Sequence, residues 1–231
     1  MKHMKNLFFL LLIFTSLKLF SQKKPAMDWP SLQKYATENE NLKQTTAKNR
    51  IVWMGDSITE FWMATDGDFF KNKPYVNRGI SGQTTSQMLL RFRQDVISLK
   101  PEMVVILAGI NDIAENTGPI SLENILGNII SMAELAKANN IKVVLSSVLP
   151  ANKFPWRPDL QPAEKVIELN KMLEKYSRDN NLAYIDYYSK MADSQKGLDA
   201  KFTNDGVHPT LSGYKIMAPL AEEAIAKAKK N

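Results

Sequence analysis

The sequence predicts an α/β fold, a single three-layer α/β/α domain, from three observations. Short apolar runs alternate with longer stretches of helical character. A length of 231 residues suits one domain. Glycine, serine, asparagine and aspartate gather just after the apolar runs, where open parallel sheets place their functional loops.

The elements follow in order. Residues 22–49 form a polar lead-in, mostly helical between 28 and 48. Residues 51–54 read as a buried strand and 75–80 as a second. Residues 103–108 form a third, whose unbroken apolar character suits a central strand covered on both faces. Residues 142–148 and 183–187 complete the set. Helical stretches lie near 84–99, 121–139, 162–179 and 210–229. Pro219 falls inside the last and is expected to kink or shorten it, because proline lacks the N–H and its ring clashes with the preceding turn. This alternation argues for a flavodoxin-like parallel five-stranded sheet with helices on both faces, over residues 50–231.

The N-terminus reads differently. Lys2 and Lys5 precede an uncharged, almost wholly apolar stretch over 7–17, and the polar run Ser21-Gln22-Lys23-Lys24-Pro25 follows. This is the layout of a secretory signal peptide over residues 1–21, and its apolar core is short for a bilayer span. Cleavage is expected after Ser21 or Gln22; an uncleaved anchor is the alternative. The mature chain is then exported, to the periplasm or beyond, with no stable membrane span. There is no cysteine, which excludes disulfides, thiol catalysis and a lipid-modified N-terminal cysteine.

The formal charge of +6 overstates the basic character. Lys2, Lys5 and Lys18 lie in the first 21 residues, which hold no acid, so the rest carries 27 basic against 24 acidic residues, a net +3. The basic residues are scattered, which argues against a nucleic-acid groove. Lys227, Lys229 and Lys230 sit at a helix C-terminus, where they complement its dipole without a partner. No His/Cys cluster suggests a metal, and no cofactor is expected.

The loops after the strands carry the chemistry. They read Gly55-Asp56-Ser57-Ile58-Thr59-Glu60, then Gly79-Ile80-Ser81-Gly82-Gln83-Thr84, then Gly109-Ile110-Asn111-Asp112. The last of them carries Asp205-Gly206-Val207-His208. Each has an ordinary alternative. Ser57 with Glu60 fits a helix capping box. Gly82 fits a tight turn, and Asn111-Asp112 and Asp205-Gly206 fit loop chemistry. The histidines shift the balance. His3 lies in the signal segment, so any histidine-based catalysis must use His208, which stands three residues after Asp205.

Across residues 50–215 the chain resembles the SGNH hydrolases, the GDSL-type esterases and lipases. Gly55-Asp56-Ser57 matches their first block, with isoleucine where the name-giving version has leucine. Gly82 matches the second, Gly109 to Asp112 the third, and Asp205 with His208 the last. The segment 77–85 is similar to the branch of acetyl-esterases and platelet-activating-factor acetylhydrolases. The resemblance implies a metal-free serine esterase. In it Ser57 is the nucleophile, His208 its general base and Asp205 the group orienting the imidazole. The implied oxyanion hole comprises the N–H groups of Ser57 and Gly82 and the Asn111 amide. Asp56 and Asp112 are read as structural.

Specificity is less defined. Trp62, Phe154, Trp156 and Arg157 are candidate pocket walls, with loop packing as the alternative. No long insertion suggests a deep acyl tunnel. The expected substrate is therefore a small-molecule or glycan ester with a short acyl group, acetyl foremost. A lysophospholipid or thioester substrate is the enzymatic alternative, and a non-catalytic glycan-binding relative is the alternative of another class.

Overall fold

The computed structural model describes residues 27–45 and 49–230; the expected signal peptide lies outside them. Five strands, β1 (Ile51–Gly55), β2 (Tyr75–Gly79), β3 (Met103–Leu107), β4 (Lys142–Ser146) and β5 (Ala183–Ile185), form one sheet. Their order is β2-β1-β3-β4-β5, and every pairing is parallel. Strands β1 and β3 lie at the centre and are buried along their whole length, which is why their sequences do not alternate.

The helices are α1 (Ala36–Lys43), α2 (Ser57–Thr65), α3 (Thr85–Asp95), α4 (Ile110–Ile113), α5 (Leu122–Ala138), α6 (Ala163–Asp179), α7 (Tyr188–Met191) and α8 (Leu211–Lys230). The chain leaves β1 for β2 in one direction and then returns past β1 to β3. Right-handed crossovers therefore put α2 on one face of the sheet and α3, α5 and α6 on the other. Helices α3, α5 and α6 pack in sequence, and α8 packs beside α2. The reversal falls between β1 and β3, and a crevice opens there at the carboxyl ends of the strands.

The structure departs from the expected elements in several places. The helix expected over 84–99 stops at Asp95, and a single 3-10 turn, Ile97–Leu99, follows. Lys100 then adopts a left-handed conformation, φ 49°, before Pro101, so the helix cannot run on. The last helix is not shortened. It runs Leu211–Lys230 through Pro219, because Tyr214, Met217, Ala221 and Ile225 bury one continuous face. Among the described residues of the lead-in only Ala36–Lys43 is helical, and turns lie between Trp29 and Tyr35. The one-turn helices α4 and α7 carry too little periodicity to be read from sequence.

Candidate active site

The first site loop begins at Gly55. A Cβ there would lie 2.1 Å from Thr59 Oγ1 and 2.8 Å from Leu107 O, so the chain can turn this tightly out of β1 only with glycine. Asp56 is the N-cap of α2, and its carboxylate accepts the Ile58 N–H at 2.9 Å. Ser57 is therefore the first helical residue rather than the cap, which settles the capping-box alternative. Glu60 turns instead to the neighbouring loop and accepts the Ser81 N–H at 2.7 Å and the Ser81 hydroxyl at 2.6 Å. The Ser57 hydroxyl is left free to meet His208 Nε2 at 2.9 Å.

His208 stands on a loop that organises itself. Its Nδ1 lies 2.7 Å from Asp205 Oδ2. Asp205 Oδ1 accepts the backbone N–H groups of Val207 at 2.9 Å and His208 at 2.8 Å. The Thr203 hydroxyl donates to His208 O at 2.8 Å and accepts the Gly206 N–H at 3.0 Å. Partial burial would raise the pKa of the Asp205 carboxyl. The bonds from the His208 ring and from the two backbone N–H groups outweigh it and hold the pKa at about 2. The carboxylate beside the imidazole thus stays ionised across the neutral range.

Gly82 and Asn111 come to the same place from the other loops. Gly82 has φ 77°, the left-handed region that favours glycine. An added Cβ would meet nothing nearer than Asn116 Nδ2 at 4.0 Å. The backbone conformation, and not an obstructing side chain, therefore requires glycine here. Asn111 is the second residue of α4 and donates its amide to Gln83 O at 3.1 Å. Its own oxygen accepts from Asn116 Nδ2 at 2.9 Å, and Asn116 also reaches Gly82 O at 3.1 Å. These bonds fix both ends of the Asn111 amide at the pocket's edge. The N–H groups of Ser57 and Gly82 have no acceptor among the described residues.

Asp112 fastens the third loop to the start of α3, accepting the Thr85 N–H at 2.9 Å and the Thr85 hydroxyl at 2.6 Å. Burial raises its pKa to about 6. Burial raises that of Asp56 further, to about 7, and its second oxygen has no hydrogen-bond partner. Between the unfolded value of about 3.9 and these raised values, the folded chain binds more protons than the unfolded one, so stability falls as pH rises. The melting temperature is accordingly expected to drop between pH 5 and 8, and to drop less in Asp56→Asn. Equal slopes in parallel thermal melts would contradict this.

Ser57, Gly82, Asn111 and His208 line a pocket of about 310 Å³ with Phe61, Ser81, Asn116 and Trp156. Phe61 and Trp156 flank the imidazole, with ring centroids 5.4 and 6.3 Å from that of His208. Phe61 was legible in principle, since it lies one helical turn beyond Ser57 on the same face. Asn116 follows the end of α4, and no spacing rule points to it.

Of the four expected wall residues, Trp156, 43% exposed, lines this pocket. Trp62 does not. It is 1% exposed and stacks on Phe69 and Tyr214 at 4.5 and 5.2 Å, because its position on α2 faces the sheet while Phe61 faces the site. Phe154 is buried beneath Trp156, their rings 5.3 Å apart, and supports it from below. Arg157 turns away to Glu115 at 3.2 Å, Asp159 at 3.1 Å and Ala114 O at 3.1 Å, tying its loop to the end of α4. Among the described residues, no group of three or more His, Asp or Glu side chains is arranged to hold a metal ion. No described helix is long and apolar enough to cross a membrane.

Comparison with known proteins identifies the family. Residues 53–216 match the GDSL-like lipase/acylhydrolase family. The structure of a GDSL-like lipase from Bacteroides thetaiotaomicron is similar, with 50% identity, a TM-score of 0.84 and coverage of 87% of this chain and 100% of that one. Esterase TesA of Pseudomonas aeruginosa is 27% identical over 74% of this chain and 85% of its own length. An acetylxylan esterase of Geobacillus stearothermophilus is 24% identical, over 62% and 68% respectively. A shorter match, 34% identical, spans 34% of the length of lipoprotein YqeF of Bacillus subtilis. With a family match over most of its length and a sheet of the same architecture, the chain belongs to the GDSL-like lipase/acylhydrolase family and is an acylhydrolase.

Proposed function

We propose that this acylhydrolase is a serine esterase that removes short acyl groups, acetyl foremost, from carbohydrate esters through an acyl-enzyme. The observation that carries the mechanism is the continuous line from Asp205 through His208 to Ser57, ending in a pocket that also receives the donors of Gly82 and Asn111. Ser57 Oγ attacks the acyl carbon while His208 Nε2 takes its proton. His208 then gives that proton to the departing alkoxide, leaving the acyl group on Ser57. Water enters, loses a proton to His208 and releases the carboxylic acid, and the proton returns to Ser57. Asp205 holds the tautomer and stabilises the imidazolium throughout. The N–H of Ser57 sits at a helix N-terminus, whose dipole favours the developing oxyanion.

Two features support the substrate. The pocket is small and flanked by the rings of Phe61 and Trp156, which suits a short acyl group beside a sugar face. A second cavity of about 800 Å³ adjoins Asp205 and is bordered by Asn152, Lys153, Phe154 and Asn204, a mixture of apolar and hydrogen-bonding groups suited to a glycan. In a panel of aryl acetates, aryl octanoates, acetylated glycans and lysophospholipids, acetyl esters are expected to give the highest kcat/KM. Trp156→Ala should weaken turnover of acetylated glycans more than that of an aryl acetate. A preference for octanoyl or lysophospholipid substrates would instead support the lipase reading.

Export is proposed with it, supported by the basic start and apolar stretch over 7–17. Mass spectrometry of envelope or culture-fluid protein is expected to find an N-terminus near Gln22. Intact Met1 in the cytoplasm would contradict this.

A further inference from the structure

A single buried guanidinium joins the loops that carry Ser57 and Gly82. Arg91 is fully buried on α3. It donates Nη2 to Gly55 O at 3.0 Å, Nε to Gln83 Oε1 at 2.5 Å and Nη1 to Asp95 Oδ2 at 3.0 Å. Gln83 directly follows Gly82 and is itself buried. Its main-chain oxygen accepts the Asn111 amide at 3.1 Å, and its side-chain Nε2 donates to Pro30 O at 2.8 Å. Gln83 thus meets the Asn111 loop, the Ser57 turn by way of Arg91, and the lead-in.

The lead-in is held by two further amides of the same kind. Gln87 Nε2 donates to Trp29 O at 2.8 Å, and Gln94 Nε2 to Leu32 O at 2.6 Å. Residues 29–32 all precede the region matched by the family, which begins at residue 53.

We propose that Gln83 is a positioning residue of the oxyanion hole, and that the lead-in at Pro30 belongs to the catalytic unit through it. The inference rests on the reading of Gly82 and Asn111 as oxyanion donors. Gly82 has no side chain to anchor it, so its left-handed backbone is held by Asn116 at its carbonyl and by its chain neighbours. A donor must lie within about 2.7–3.1 Å of the oxyanion, and a misplacement of about 1 Å can cost about 10²-fold in rate. A buried glutamine is costly unless both ends of its amide are bonded, as they are here. Those bonds fix the residue that directly follows Gly82 and the carbonyl on which the Asn111 amide rests.

The test compares kcat, KM and melting temperature for Gln83→Met, Asn111→Ala and the double variant on an aryl acetate, with Gln94→Met as a control. Gln94 holds the lead-in but touches neither site loop. Gln83→Met is expected to lower kcat by about 10- to 100-fold with KM nearly unchanged. Gln94→Met should lower the melting temperature and leave kcat at the parent value. With Asn111 already replaced, the cost of Gln83→Met in kcat should shrink, because both act on one oxyanion. A Gln83→Met protein that loses only thermal stability, or whose kcat cost is the same in both backgrounds, overturns the proposal. If Gln83→Met does not fold, the isosteric Gln83→Glu keeps an acceptor for Arg91, loses the Pro30 bond and is read in the same way. A normal kcat in Asn111→Ala alone would remove the oxyanion reading itself, and the inference with it, by a separate measurement.

Discussion

His208→Ala is expected to abolish nearly all turnover, by about 10⁶-fold in kcat if the triad acts as a unit. The size follows from the geometry. Ser57 Oγ has His208 Nε2 at 2.9 Å as its proton acceptor, and the one other histidine of the chain is His3, in the expected signal segment. Ser57→Ala should be equally severe, and the double variant little worse than either single one, since each change already disables the same step. A serine-reactive phosphonate should label Ser57 in the parent protein and fail to label it in His208→Ala, where the hydroxyl has no base. Steady-state kinetics with intact-mass analysis read both outcomes. Appreciable turnover in folded His208→Ala would mean that another base serves Ser57, and the relay would have to be abandoned.

Asn111→Ala is expected to lower kcat by about 10²–10³-fold while KM moves little, because the carbonyl of a bound ester accepts weakly and the bond strengthens only as negative charge develops. Asn111→Asp should be at least as damaging, since it sets an anion toward the developing oxyanion. Asn116 sharpens the expectation. Its amide holds the Asn111 oxygen at 2.9 Å, so the side chain is held in one orientation before substrate arrives. Thermal melts run alongside separate lost folding from lost chemistry. A well-folded Asn111→Ala protein with normal kcat would show that the amide serves only the loop.

Much of this architecture was legible because the central strands are covered on both faces. Their unbroken apolar runs, such as 103–107, mark position as well as type, and the site residues follow at strand ends. The pocket wall was legible only in part, through Trp156. Trp62 and Phe61 are adjacent in sequence and alike in chemistry, and only the rotation of α2 about its axis decides which faces the sheet and which the imidazole. Arg157 reads as a recognition residue until the carboxylates of Glu115 and Asp159 are seen beside it. Asn116 and Gln83 act through contacts between loops that sit 28 to 34 residues apart, and no local period encodes such pairings.

The turn from Thr203 to His208 closes upon itself through bonds between residues no more than five apart. The proposed base and the carboxylate that orients it can therefore be prepared early, at almost no loop-closure cost. Bringing that finished turn to Ser57, 151 positions away, is the costlier event, because it closes a long loop onto the start of α2. The proposed catalytic arrangement thus depends on one long-range contact. A refolding population could regain its helical content and much of its core well before it regains the power to cleave an ester.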